Sequence, residues 1–267
     1  MDYQPLNSSD RQDDALRLLA ESLHPDTRVG VLSGAGISAA SGIPTFRGPG
    51  GMWKSHRPED LATPAAFARD PRTVWEWYGH RRDTIRAAHP NAAHDALGEL
   101  AKLVGSVSII TQNVDGLHAL GLERQGLAGL VEIIELHGSI WKMRCVSCGR
   151  DREDLRSGPA EGEDLPTCAC GALLRPGVVW FGEQLSDTAI SRAAKIAGDC
   201  DVFLVVGTAA VVQPAASYAR LAAMANALVA EVNLEPTPLS DSLPIALHGK
   251  AEEILPGLVA KVRGMRG

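Results

Sequence analysis

The 267-residue sequence predicts an α/β fold: a parallel sheet with helices on both faces, carrying a small inserted module. Three observations support that reading. Short apolar runs of strand length alternate with amphipathic helical stretches, as in a sheet buried on both faces. The run RVGVLS ends directly in the turn Gly34-Ala35-Gly36, as strand-to-helix junctions of such sheets do. The stretch 141–176 breaks the rhythm with four cysteines, many charges and four glycines.

In chain order, residues 14–23 read as an amphipathic helix and RVGVLS (28–33) as a buried strand. Residues 40–56, rich in Gly and Pro, are expected to form a flexible loop. Pro71 suits a first helical turn and opens a helix to about residue 88, and Asn91 caps a second over 92–104. Strands are expected at SVSIIT (106–111), VEIIEL (131–136), DVFLVV (201–206) and ALVAEV (227–232). Helices fit at 187–197, 214–225 and 251–263. Residues 1–140 and 177–267 would then form one domain around a module at 141–176.

Composition narrows the function classes. With 45% hydrophobic residues and 22% charged, the chain is neither disordered nor fibrous. A net charge of −6 argues against a polyanion partner, so no direct nucleic-acid binding is expected. The polar, acidic start MDYQPLNSSDRQDD does not resemble a secretory signal, and no run reaches the roughly 18 apolar residues of a membrane helix. The expectation is a cytoplasmic protein with no membrane contact. Of five cysteines, Cys145, Cys148, Cys168 and Cys170 cluster, which fits a metal site better than a disulfide framework. A CxxC pair, a nineteen-residue gap ending in Thr167 and the CxC pair Cys168-Ala169-Cys170 read as a tetrathiolate Zn2+ site. Four thiolates leave no open position, so such a metal is structural, the rival being a redox disulfide. Cys200, before a strand, reads as a core residue.

Other residues carry chemistry only weakly by themselves. The Gly34-Ala35-Gly36 turn suits a dinucleotide pyrophosphate, but Ala39 replaces the third glycine and no ribose-binding acid follows. The turn also has a purely steric explanation. Gln112, Asn113 and Asp115 lie just beyond a strand end, where parallel sheets bind ligands and where Asx turns also form. His137 follows VEIIEL and precedes Gly138, a loop-mouth position for a side chain that titrates near neutrality; the alternative is a structural hydrogen bond. Tyr78 and Arg81, three apart on one helix face, suit a carboxylate, although the neighbouring Arg82 also fits an ordinary solvated face.

Taken together, the segments say more. GAGISAASGIPTFRGPGGMW (34–53), TQNVDGLH (111–118), ELHG (135–138), the paired cysteines, VVWFGE (178–183), GTAAVVQPA (207–215) and VNLEPTP (232–238) occur in order. This pattern resembles the sirtuins, NAD-dependent protein lysine deacylases, over residues 14–263. The resemblance implies a Rossmann-like sheet plus zinc-binding module, NAD as co-substrate, structural zinc, and acylated lysines of proteins bound as extended peptides. It assigns Gly34, Ala35, Gly36, Ser38 and Val114 to the cofactor site, with Gln112 and Asn113 at the nicotinamide ribose and Asp115 at the nicotinamide amide. Gly207, Thr208, Ala209, Asn233, Leu234, Glu235 and Ala251 would line the adenosine half, and Phe46, Arg47 and Trp53 would cover bound NAD. His137 would be the general base, with Asn113 and Asp115 as the other catalytic residues. Val178, Val179, Trp180, Phe181 and Gly182 would pair with the peptide by strand addition. In that chemistry the acyl oxygen attacks NAD, nicotinamide leaves, and O-acyl-ADP-ribose and free lysine result.

Tyr78 and Arg81 in a YxxR arrangement, together with Thr45, resemble the class III sirtuins, which remove succinyl, malonyl or glutaryl groups and often acetyl as well. One departure stands out: the family usually has GTS where this chain has Gly207-Thr208-Ala209. A plain lysine deacetylase, a mono-ADP-ribosyltransferase, an NAD-dependent dehydrogenase and a silent NAD-binding module remain alternatives. The dehydrogenase leaves the cysteine insertion unexplained.

Overall fold

The computed structural model describes residues 8–45, 57–160 and 162–266. Helix α1 (Ser8–Glu21) leads into β1 (Arg28–Ser33), and a 3-10 segment, Ala35–Ser41, follows the glycine turn. Three helices come next: α2 (Pro58–Leu61), α3 (Pro64–Arg69) and α4 (Pro71–Ala87). Their starts are written locally, since Thr63 and Asp70 each accept a backbone N–H and a proline occupies each first turn. Asn91 caps α5 (Ala92–Ala101), with the His94 ring accepting the Asn91 N–H in return. The chain continues through β2 (Ser106–Thr111), α6 (Leu117–Arg124) and β3 (Glu132–Glu135).

Three strands then form a separate sheet: β4 (Gly138–Cys145), β5 (Asp151–Glu153) and β6 (Leu174–Val178). Helix α7 (Asp187–Asp199), β7 (Val202–Val206), α8 (Ser217–Met224), β8 (Leu228–Asn233), β9 (Ile245–His248) and α9 (Ala251–Gly264) complete the chain.

The large sheet has strand order β3-β2-β1-β7-β8-β9, with every pair parallel. From β1 the chain builds outward to β2 and β3, then returns to the other side of β1 at β7. This reversal opens a crevice between the C-terminal ends of β1 and β7, where open α/β sheets bind ligands. One sheet face packs on α1, α5 and α9 through Leu19, Leu97, Leu100, Leu255 and Leu258, and the other on α7 and α8 through Ala193, Ala197, Tyr218 and Ala222. A third apolar cluster joins α3 and α4 to the small antiparallel sheet, with Trp75, Met143, Leu174 and Trp180 at its centre.

The fold departs from the sequence reading in detail. Strand β9 and helix α6 were not foreseen, because IALH is too short to show a period and Gly121 interrupts LHALGLER, where it packs on Pro90 and His94. The apolar run VVWFGE is a strand only at its start. β6 is an edge strand that ends at Val178, and Trp180–Glu183 closes a turn with Gly182 at φ +85°.

Candidate active site

At the crevice the ends of β1 and β7 meet through glycine. A Cβ on Gly36 would lie 2.7 Å from the Gly207 Cα, and one on Gly207 would lie 2.4 Å from the Ile37 nitrogen. Gly207 also holds φ +60°, which disfavours side chains independently. The contact is sealed by backbone bonds: Gly34 N–H donates to the Val206 carbonyl (3.0 Å) and Gly36 N–H to the Gly207 carbonyl (2.8 Å). Two amides of the turn are thus committed to protein carbonyls, and the steric explanation of this glycine pair holds here.

Around it lies a polar network. Asn113 Nδ2 donates to the Gly34 carbonyl (3.2 Å) and to Ser38 Oγ (3.1 Å), and Ser38 Oγ donates to Asp115 Oδ2 (2.8 Å). Leu117 N–H donates to Asp115 Oδ1 (2.9 Å), and the Trp141 indole N–H donates to the Asp115 carbonyl (2.8 Å). Burial pushes the Asp115 carboxyl above the usual range, and the Leu117 and Ser38 donors pull it back. Val114 is buried beside them. Gln112 Nε2 donates to Thr208 Oγ1 (2.9 Å), joining the β2 end to the β7 end.

His137 sits beyond β3, half-buried, with Nδ1 2.9 Å from the Gln112 carbonyl. A carbonyl only accepts, so Nδ1 carries the proton and Nε2 the lone pair. Burial lowers the imidazole pKa below its ordinary value, against the pull of the Gln112 carbonyl. The ring is therefore neutral at neutral pH, with Nε2 able to take a proton.

The expected adenosine-side residues arrive at the same sheet edge from β7, β8 and the start of α9. Thr208 and Ala251 are buried, while Ala209, Leu234 and Glu235 are exposed. Asn233 Nδ2 donates to the Glu235 carbonyl (2.8 Å), shaping that loop internally. Phe46, Arg47 and Trp53, and most of the expected loop at 40–56, lie outside the described residues.

Tyr78 is almost fully buried on α4, and its hydroxyl oxygen accepts the Trp180 indole N–H at 2.9 Å. The Arg81 guanidinium lies 5.8 Å from the Tyr78 ring centroid and 5.0 Å from that of Trp77. Arg82 is no solvated neighbour: it is fully buried and donates to the Ile140 carbonyl (2.7 Å) and to Asp154 Oδ2 (2.9 Å), pinning α4 to the small sheet. Val179 N–H donates to the His137 carbonyl (2.8 Å), and Val178 pairs with Gly138. The segment expected to take peptide is thereby tied to the histidine. Phe181 is half exposed.

The four clustered cysteines meet as the spacing suggested. Their sulfurs lie within 4.8 Å of one another, with Cys145–Cys170 at 3.5 Å and Cys148–Cys168 at 3.8 Å. A tetrahedron with Zn–S bonds of about 2.3 Å has edges of about 3.8 Å, so the donor set fits zinc. The CxC pair reaches the site because Gly171, at φ +85°, closes a tight turn in which Cys168 N–H donates to the Ala172 carbonyl. All four positions are protein ligands, so the metal would brace the module and supply no chemistry to the crevice. Cys200 is buried, and burial pushes its thiol up to about 11.

Sequence reasoning missed Ser33, Thr111, His118 and Trp141. Ser33 Oγ donates to Thr111 Oγ1 (2.9 Å) and lies 2.8 Å from His118 Nε2, beneath the Asn113 loop. These residues carry no local signature, because each finds its partner across the sheet or from another element.

Comparison with known proteins agrees with this fold. The Sir2 family model matches residues 34–214. The NAD-dependent protein deacylase 2 of Pyrobaculum aerophilum is 49% identical over 92% of this chain and 94% of its own length. The NAD-dependent protein deacylase of Pyrococcus furiosus is 48% identical over 86% and 91%. A Sir2 homologue solved with NAD superposes with a TM-score of 0.83 at 42% identity, over 96% of this chain and 95% of that one. A mutant Sir2 homologue with bound 2′-O-acetyl-ADP-ribose gives 0.81 at 42% identity, over 95% and 97%. A Sir2 protein bound to a myristoylated histone peptide gives 0.72 at 33%, over 95% and 98%. The chain belongs to the Sir2 family of NAD-dependent protein deacylases.

Proposed function

We propose that this chain removes succinyl and malonyl groups, and acetyl groups as well, from protein lysines held as extended peptides. It consumes NAD and releases nicotinamide and O-acyl-ADP-ribose. The observation that carries the acyl assignment is the pairing of Tyr78 and Arg81 beside the segment after β6. Burial raises the Tyr78 pKa, so the phenol stays protonated, and it lowers that of Arg81 against the opposing pull of Tyr78 and Asp115. Even so lowered, a guanidinium keeps its charge. A distal carboxylate would find a phenol donor and a cation there, whereas an acetyl group offers neither an acceptor. A hydrogen bond to a charged group is worth about 1.5–3 kcal/mol.

The chemistry follows from the crevice residues. As the acyl oxygen bonds to the anomeric carbon of NAD, the bond to nicotinamide breaks. Asn113 and Asp115, fixed by Ser38 and the Gly34 carbonyl, would orient the nicotinamide end. His137 Nε2 takes the proton from a ribose hydroxyl, whose oxygen then attacks the acyl carbon. Water enters, lysine leaves as the free amine, and the acyl group remains as an ester on ADP-ribose. Four clustered cysteines outside any disulfide suit a reducing cytoplasm, our reading of its location. Among the described residues, no helix is long and apolar enough to cross a membrane.

The test is one lysine peptide carrying acetyl, malonyl, succinyl or glutaryl groups, assayed with NAD. Arg81→Met should lower kcat/KM for the succinyl peptide at least about 10-fold more than for the acetyl peptide. Equal losses, or a wild type that turns over only the acetyl peptide, overturn the acyl assignment.

A further inference from the structure

The Tyr78 hydroxyl is aimed by a residue on another element. A phenol oxygen both accepts and donates, whereas an indole N–H only donates. At 2.9 Å from Trp180 Nε1, the Tyr78 oxygen is therefore the acceptor. Among the described residues no other hydrogen bond involves that oxygen, so the phenol proton is left to be given away. Accepting one bond also polarises the O–H and strengthens the bond it donates.

Trp180 is itself held from three directions. The Arg175 guanidinium lies 4.1 Å from its ring centroid, and Phe67 packs at 5.5 Å. Arg175 Nη2 donates to both Glu183 oxygens (2.7 and 2.9 Å) and Nη1 to the Val178 carbonyl (3.1 Å). Glu183 Oε2 in turn accepts the Trp180 backbone N–H (2.8 Å). The ion pair thus grips both the backbone and the face of Trp180, and the charge of Arg175 is met by Glu183 inside the clamp. One residue earlier, Val179 N–H fastens the same segment to the His137 carbonyl.

We propose that Trp180, clamped by the Arg175–Glu183 pair, is a specificity-positioning residue: its indole N–H occupies the Tyr78 oxygen and so presents the phenol proton to an acyl carboxylate. This rests on the succinyl and malonyl reading above.

The experiment compares kcat/KM for succinyl- and acetyl-lysine peptides in wild type, Arg81→Met, Tyr78→Phe, Trp180→Phe and the Trp180→Phe/Tyr78→Phe double variant. Trp180→Phe keeps an aromatic ring and loses the N–H. The succinyl-to-acetyl ratio should fall about 5- to 10-fold, mostly through KM for the succinyl peptide, as expected for one lost hydrogen bond. The double variant should show no lower ratio than Tyr78→Phe alone, because Trp180 acts through that hydroxyl. An unchanged ratio in Trp180→Phe, or losses that add in the double variant, overturns the proposal. If Arg81→Met and Tyr78→Phe lower the ratio while Trp180→Phe does not, this inference alone falls. If wild type ignores succinyl-lysine, the acyl assignment falls and takes this with it. Should Trp180→Phe not fold, the Trp180 indole N–H resonance of wild type serves instead. It should shift on binding succinyl-lysine peptide more than on binding acetyl-lysine peptide, and equal shifts would count against the idea.

Discussion

Ala209 lies exposed two residues past Gly207, beside Ala210, which holds φ +53°. Left-handed alanine costs on the order of 1 kcal/mol, so this loop keeps its shape against strain. A serine at 209 would add a hydroxyl within the expected NAD-binding loop without altering that backbone. Ala209→Ser should tighten NAD binding by up to about 10-fold, the worth of one net hydrogen bond of 0.5–1.5 kcal/mol. Calorimetric titration reads this directly, and a weakened or unchanged affinity contradicts it. At this scale the sequence was informative wherever chemistry is written in consecutive residues. The cysteine quartet, written as two close pairs, is such a case. The sequence was silent on Trp141, whose indole supports the Asp115 carbonyl from another strand, and on Ser33, which meets His118 only after β1 and α6 pack. No spacing rule encodes a partner that the fold supplies.

Strand β8 carries a fully buried carboxylate, Glu231, whose two oxygens accept the hydroxyls of Thr237 and Ser240. The loop beyond Asn233 is thereby folded back onto the strand it leaves, holding Leu234 and Glu235 at the sheet edge. Glu231→Ala removes both bonds and should cost on the order of 2–4 kcal/mol in denaturant unfolding. KM for NAD should rise several-fold with a smaller change in kcat, and an unaltered KM would show that the loop needs no such tether. The long alternating elements were legible, because a 3.6-residue or continuous apolar period sums over many positions. The short β9 and the small β4-β5-β6 sheet were not, since in the latter the cysteines and charges replace the apolar period that would announce strands.

Across the whole molecule, a parallel sheet covered on both faces was inferable from alternation, whereas its strand order, with the reversal at β1 and β7, and the third apolar cluster were not. That cluster is assembled from α3, α4 and the cysteine module, segments far apart in the chain. Burial also sets how the molecule responds to acid. The His94 and His118 rings pack edge to face at 5.0 Å, both nearly inaccessible. Desolvation lowers His94 to about 4 and takes His118 well below its usual value. The unfolded chain can take up protons near pH 6.5 that the folded state refuses. This contribution is therefore complete above about pH 6.5 and is lost as the pH falls from there toward 4. Between pH 7 and pH 5, His94 alone should remove about 2 kcal/mol of stability. Asp115 and Glu135, whose carboxyls burial raises, act with the opposite sign. Denaturant titrations of wild type beside His94→Gln isolate the histidine part. A wild type equally stable at both pH values, or a variant with an undiminished drop, would refute it.

The contact between Gly36 and Gly207 has a consequence for inheritance. Each glycine occupies the space that a side chain on the other would need, so neither can change first and wait for its neighbour. No route of single substitutions leads away from the pair. Two positions far apart in the chain therefore constrain each other, and the mouth of the crevice keeps its outline only while both stay glycine.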